Sequence, residues 1–597
     1  MSRSRITRAI REANAAVEES NATGAPIDEV VDMRRERKAT HVAASQEVVE
    51  AYNDAAARLH ERGAPEDRVA VALSMDDIQR LRVGAPVDRR GFLKGAGVGA
   101  AALATAGLTG CSLLRPARPE AASAPRVAII GGGLAGLRTA HKLWIGRGIR
   151  STIYEANADI GGRCETERNT WVNNQISEMH GEFVNSEHTA VQNLAASFGL
   201  GLDDLYKLTP KGTVDTFWLG GARYTEDQMV GDWKAFGYDA FHSAVLKAPA
   251  PQTYASHNAQ AVTWDNQDVP TWLQQNLPGG SSTDLYKLAL QSFAGEWGPY
   301  ADGSALTMLW LWAYNASKNT ASSYQTKSYL NYEGVDARWH IKGGNDQLVT
   351  QMAAQLPAGT VIAGTAVAAV AKNADGSYRL TLKAGTTTST VTVDHVVFAC
   401  TFTSLRTNVD LSKAGLSALK MTAINTASLT VGGKVMAQFN GHPWYQYNYD
   451  YVLGDSPYDW WWDANYQTNQ LKAPTSIMTH YVMDGTTRDL ISRYGLTAHE
   501  AAPPAALMNE ILPPLDTLLG PGCSSAFNGK AWYHFGLNDP WVLGAWPYYK
   551  VGQVTGFSGY EGVRERNLHF ASDQTDWDFI GDMEGAVRSG ERCAAEI

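Results

Sequence analysis

The sequence predicts an α/β fold built on a parallel sheet, and two neighbouring patterns predict it. Residues 127-VAII-130 form a short apolar run, as a buried parallel strand requires. They lead into 131-GGGLAGL-137 and an Ala/Leu-rich helical stretch ending near Leu143. A second strand-like segment, 149-IRSTIYEA-156, then carries Glu155 near its end. Strand, glycine turn, helix and strand in this order make a βαβ unit.

Each piece of that unit has a physical task. Gly131 permits the tight turn, Gly133 lets the backbone approach a pyrophosphate, and Gly136 lets the helix pack closely. Leu134 and Ala135 open the helix, whose amino end carries the partial positive charge that phosphates seek. Glu155, followed by Ala156, is placed to accept both hydrogen bonds of an adenosine ribose diol. A lone GxGxxG says little; the ordered set predicts a Rossmann-like dinucleotide site. Residues 159-DIGGRCET-166 add a second glycine turn, Gly161 and Gly162, and Arg163, able to clamp the same pyrophosphate from its other side.

With that segment the chain comes to resemble the flavin-containing amine oxidase superfamily (monoamine oxidase-like), in which a GGR segment follows the ribose-binding acid. The resemblance runs from Arg126 to Ile597 through three separated matches. The first, 178-EMHGEFVNSEHTAVQNLAASFGL-200, is similar to the family's ELGGxxI segment and the helix behind it. It implies that the backbone of Gly181, Glu182 and Phe183 approaches the flavin ring, with His180 in place of the usual glycine. The second joins 341-IKGGNDQLVTQMAAQLP-357, 361-VIAGTAVAAV-370 and 393-VDHVVFACTFTSLR-406, and implies that Val367 touches the adenine side through its backbone. Between these, KNADGSYRLTL reads as a hairpin turn followed by alternation.

The third match, 568-LHFASD-573 with 581-GDMEGAVRSGERCAAEI-597, resembles the closing FAGE and GYMEGAxxSGxRAA motifs. It implies Asp573 on the ribityl chain, and Met583 and Glu584 at the start of a helix whose amino end faces the flavin. A helix terminus there stabilises the charge that gathers on the reduced ring. The implied cofactor is FAD. The implied fold is a Rossmann-like FAD-binding domain of discontinuous segments, 126–200, 336–424 and 541–597. An α+β substrate-binding domain is expected from 201–335 and 425–540.

Candidate catalytic residues follow from the same resemblance. Lys434, in 430-TVGGKVMAQFNGHPW-444, stands where the family has a lysine near flavin N5, bridged by water. Trp546, in 544-GAWPYY-549, falls where the first of two rings is expected before the flavin. Ala545 falls where some relatives have the cysteine bonded to FAD, so FAD is expected to be noncovalent. Asp582 takes the place of the second ring, the tyrosine of GYMEGA. Two readings of it stand: a carboxylate turned to the cavity to orient a cationic group, or a cap on the following helix.

The expected reaction is oxidation of a small primary amine to an imine, then an aldehyde or ketone and ammonia, with O2 reduced to H2O2. Amino-acid oxidase relatives carry an arginine near this ELGxMR segment to receive the substrate carboxylate. EMHGEFVNSEH has none, although Arg406 or Arg488 arriving from elsewhere would undo the inference. An amine dehydrogenase with another acceptor, an L-amino-acid oxidase, a polyene desaturase and a noncatalytic FAD-stabilised binding protein are the alternatives. Aromatics such as Trp310, Trp312, Tyr458 and Trp460 suit an apolar amine.

Ahead of the sheet, 88-DRRGFLKG-95 and the small, apolar run to Leu108 resemble a twin-arginine export signal, too short and glycine-rich for a membrane span. The expected location is the periplasm, cell surface or extracellular space. Leu108-Thr109-Gly110-Cys111 resembles a lipobox, and a lipid anchor at Cys111 and an ordinary cleavage site beside it are both open readings. Residues 1–87 form a polar extension, with the true start open between Met1 and Met75, and 88–125 hold the signal and a Pro/Ala linker. A net charge of -10, with no basic block interleaved with aromatics, argues against nucleic acid. The five cysteines stand too far apart for a zinc or CxxC site, and no metal is expected. The expected partners are a small amine and O2, with a homodimer left open.

Overall fold

The computed structural model describes residues 124–317, 337–455 and 458–597. The twin-arginine, lipobox and leader readings, Cys111 included, fall outside the described residues. Of the described chain, Arg126–Val191 and Leu202–Ile597 belong to one compact unit; Gln192–Gly201, a helix end and its turn, belong to a second.

The βαβ unit forms as its sequence requires. Strand β1 (Val127–Ile130) is buried at all four residues, the condition that selects an unbroken apolar run. Helix α1 (Leu134–Arg147) follows and is stopped by Gly148, whose left-handed φ of 66° lets its N–H cap the last carbonyls. Strand β2 (Ser151–Tyr154) then pairs with β1 in parallel, Val127 opposite Ser151. Distant segments complete a five-stranded parallel sheet in the order Leu568–Phe570, His395–Phe398, β1, β2, Val361–Ile362. The hairpin read in KNADGSYRLTL is present: Ala366–Lys372 and Tyr378–Ala384 run antiparallel, Lys372 opposite Tyr378.

A second sheet of eight strands draws on Val214–Thr225 and on the region from Gly432 to Phe535. Its long strands are β3 (Gly432–Asn440), β4 (Thr475–Met483) and β5 (Phe527–Phe535). They pair antiparallel, with β3 between the other two. Directly opposed residues of an antiparallel pair share a face. The register therefore sets His499, His534, Lys434, Tyr481 and Trp460 in one row across five strands.

The aromatic residues divide differently from the expectation. Trp310 and Trp312 are buried in the helical layer, with Trp312 5.3 Å from Phe241 and 5.5 Å from Trp233. They fill a core and do not wall the cavity described below. Large rings cover much apolar area per residue, which serves a core as well as it serves a ligand.

The last helix, α2 (Met583–Glu596), lies against α1. A Cβ at Gly590 would come within 2.6 Å of the Ala135 carbonyl oxygen, so glycine there permits the close approach. Arg138 Nε donates to Glu591 across the same contact at 3.0 Å. The first and last segments of the parallel-sheet region are thereby joined.

Candidate active site

One cavity of about 440 Å3 runs along the ends of β1 and α1 to the start of α2. Gly131, Gly133, Leu134, Ala135, Glu155, Ala156, Gly162, Arg163, Gly181, Val367, Trp546, Asp573, Asp582 and Met583 all line it. Residues more than four hundred positions apart in sequence meet at this wall.

The glycine turns have the close backbone approach that a phosphate-bearing ligand would need. Gly131 has φ 110°, and a Cβ there would stand 2.6 Å from the Ala399 carbonyl oxygen. Gly136 lies off the cavity wall, and its Cβ would come within 2.0 Å of the Gly131 carbonyl oxygen. That is the packing role its position in the motif predicts. The second turn is stitched to the first, since Gly161 N–H donates to the Gly132 carbonyl at 3.0 Å. Neither α1 nor α2 has a side-chain cap at its amino end, and α1 has no acidic residue in its first turn. Two uncapped helix amino ends therefore open on one cavity, which fits a dinucleotide at one and a reducible ring at the other.

Glu155 is held in place by backbone: Gly132 N–H donates to Oε2 at 2.6 Å and Asn157 N–H to Oε1 at 2.7 Å. Each oxygen keeps a second lone pair for a ribose hydroxyl. Burial raises its carboxyl above the usual range. Arg163 lines the cavity and also has protein partners. Its two Nη atoms donate to Asp573 at 2.6 and 2.9 Å and to the Ala545 carbonyl at 2.7 Å. The arginine thus ties the first glycine region to the third matched segment and orients Asp573.

Lys434, Glu182 and Phe183 do not line the cavity; of their segment Gly181 and His180 do. The Lys434 ammonium, buried, donates to Glu182 Oε2 at 2.6 Å and to the carbonyls of Glu178 and His180 at 2.9 and 3.2 Å. Glu182 also accepts from Trp462 Nε1 at 3.1 Å. Lys434 therefore pins, from behind, the strip of backbone that faces the cavity.

Trp546 lies in the wall over Gly432, where a Cβ would come 3.0 Å from its ring. It stacks on Tyr481 with centroids 5.5 Å apart. Facing the same space are His180 and His534, edge to face at 4.0 Å. Burial lowers both, His180 well below its ordinary value and His534 to about 3, so both imidazoles are neutral.

Asp582 sits at the amino end of α2, 5 % exposed, and its side chain does not cap the helix. Its Oδ2 lies 3.5 Å from Nε2 of His188, itself 1 % exposed. Two residues on, Glu584 accepts from the N–H groups of Ala190 and Val191 at 2.9 and 2.8 Å, and burial pushes it up to about 7. His188, His534, His499 and Trp541 were not read as site residues from the sequence. The alternation of Trp532 and His534 in 527-FNGKAWYHF-535 is the one local signal that a polar face was present.

Comparison with known proteins agrees with this geometry. The model of the family described as flavin containing amine oxidoreductase matches residues 134–597. Pseudooxynicotine dehydrogenase of a Pseudomonas species is 24% identical over 537 residues, 86% of this chain and 95% of that protein. Tryptophan 2-monooxygenase of Rhizobium rhizogenes is 25% identical over 258 residues, 37% of this chain and 33% of that protein. Solved structures of putrescine oxidase bound to putrescine and of cyclohexylamine oxidase from Brevibacterium oxydans share the fold at TM-scores of 0.61 and 0.62. Each is 20% identical and is covered to 98% by 79% of this chain. With its glycine cradle, its joined segments and this match, the chain belongs to the flavin-containing amine oxidoreductase family, as an FAD-dependent oxidoreductase acting on amines.

Proposed function

We propose that this protein is an amine oxidase that converts a small primary amine to its imine, with O2 reduced to H2O2. Water then hydrolyses the imine to an aldehyde or ketone and ammonia. The observation that carries the reading is the charge at the ring end of the cavity. Asp582 presents a buried carboxylate there, suited to a cationic amine. Among the described lining residues Arg163 is the sole arginine, none is a lysine, and both Nη atoms of Arg163 are already committed. Arg406 donates to the carbonyls of Ile424 and Ala427, and Arg488 pairs with Asp484; neither lines the cavity. A substrate carboxylate would find no open cation, which disfavours an amino acid.

Bound FAD would supply the redox chemistry for oxidation of the substrate C–H bond. The chain's own residues bind, orient and exclude water. Trp546 offers a flat apolar wall to the substrate carbon chain, and Asp582 receives its nitrogen. Lys434 acts through the 178–182 backbone that it fixes. A side chain of alanine at position 545 supports noncovalent FAD, since it has no nucleophile. The twin-arginine pattern at 88–95 supports export to the periplasm or cell surface.

The dehydrogenase reading keeps one observation in its favour: a relative aligned over 86% of this chain bears that name. Anaerobic mixing with mono-, di- and aromatic amines and with basic amino acids tests both. Amines are expected to bleach the flavin absorbance and amino acids to leave it unchanged. Readmitted O2 is expected to restore it with equimolar peroxide. Bleaching by amino acids would overturn the substrate class, and restoration only with another acceptor would make the protein a dehydrogenase.

A further inference from the structure

We propose that Asp582 takes up the proton that an ammonium substrate must lose before its C–H bond is oxidised, and that His188 positions Asp582 for this. The proposal rests on the amine reading above and says how the amine enters the reaction.

A primary amine near neutral pH is an ammonium whose lone pair is occupied. Loss of an α-hydrogen with its electron pair needs that lone pair free, so a proton has to leave first. Asp582 is the residue at the right place. It lines the cavity beside Trp546 and Met583, and its backbone is fixed by its own N–H donating to Phe579 at 3.2 Å and by its carbonyl accepting from Ala586 at 3.3 Å.

His188 lies against the carboxylate. Asn185 brackets the ring, its N–H donating to His188 Nδ1 at 3.1 Å and its Nδ2 lying 3.0 Å from His188 Nε2. The same Nε2 is 3.5 Å from Asp582 Oδ2. Asn185 thus engages both ring nitrogens, and His188 does not itself line the cavity. Phe579 lies edge-on to the ring at 5.5 Å and fixes its plane.

The proton step is balanced as it stands. One N–H bond of the ammonium breaks and one O–H bond forms on Asp582, with no electrons transferred. The proton passes to solvent when product leaves. An ammonium–carboxylate pair becomes a neutral amine beside a neutral acid, and a dry cavity favours the uncharged pair.

The charged groups packed around the pair do not supply a competing acceptor. Glu584, on the same helix, is occupied by the Ala190 and Val191 N–H groups. Arg588 pairs with Asp576 and Asp578. Across the cavity His180 and His534 are neutral and resist protonation. Arg163 holds Asp573, and Lys434 holds Glu182.

The test compares full-length, FAD-loaded wild type with Asp582→Asn, using benzylamine and the more basic hexylamine as probes. The rate of anaerobic flavin bleaching divided by the amine Kd is followed against pH. In the wild type this ratio is expected to fall as pH rises through the pKa of each amine, because the ammonium is the form collected. In Asp582→Asn it should rise through that same pKa, because only the free base reacts, and near pH 7 it should be roughly 100-fold below wild type. His188→Leu should shift the profile toward that of Asp582→Asn, while His188→Gln, which keeps an N–H donor, should restore it. Unchanged flavin spectra and FAD content in each variant exclude a folding defect. A wild-type ratio that rises through each amine's pKa overturns the proposal and leaves amine oxidation standing. No bleaching by any amine overturns the amine reading itself, and the proposal with it.

Discussion

Gly136→Ala is expected to strip the protein of FAD and to lower its stability by about 3 kcal/mol. The added Cβ would lie 2.0 Å from the Gly131 carbonyl oxygen and 3.2 Å from Ala399 Cβ. Neither neighbour is a flexible side-chain end, so α1 must move off β1 and the phosphate-binding turn must open. A control sits in the same helix. Gly146 has nothing within 4 Å of its Cβ position, and Gly146→Ala is expected to stabilise by roughly 0.5–1 kcal/mol through helix propensity. Thermal unfolding and the ratio of flavin to protein absorbance read both variants. Equal behaviour of the two would contradict the packing argument.

Lys434→Met is expected to cost about 3–5 kcal/mol, because it leaves the Glu182 carboxylate buried with Trp462 Nε1 as a remaining donor. The double variant Lys434→Met with Glu182→Gln should recover much of that loss, since the uncompensated charge is then gone. Denaturation midpoints of the four members of this cycle give the coupling between the two residues. A lysine that acted on the chemistry alone would leave stability unchanged and show no coupling. The structure predicts coupling, and it predicts that activity falls through displacement of the 178–182 backbone.

Legibility from the sequence followed the physics of each feature. The dinucleotide cradle could be read because a φ of 110° at Gly131 and a backbone approach at Gly136 admit almost no other residue type. Glu155 was readable for a similar reason, as an acid at the end of a strand that must follow such a turn. The parallel sheet was legible only in its first two strands; the others arrived through resemblance, since short apolar runs such as 395-HVVF-398 do not announce their neighbours.

Pairings across the chain had no local trace. Lys434 and Glu182 are 252 residues apart, and nothing in either segment names the other. The reading of Glu182 as a backbone contact to the flavin missed that its side chain was needed elsewhere. His188 is invisible beside Asp582 for the same reason. The row His499, His534, Lys434, Tyr481 and Trp460 exists only in the register of five strands, which hairpin signals do not fix across long connections. The tryptophans show the opposite limit, because composition reports how many large rings there are and not whether they face ligand or core.

Measuring the flavin carried by the purified chain tests the central claim most directly. Acid precipitation of the protein should release FAD into the supernatant in equimolar amount, leaving a colourless pellet. A correctly folded chain that holds no flavin and takes up none when FAD is added would contradict the account.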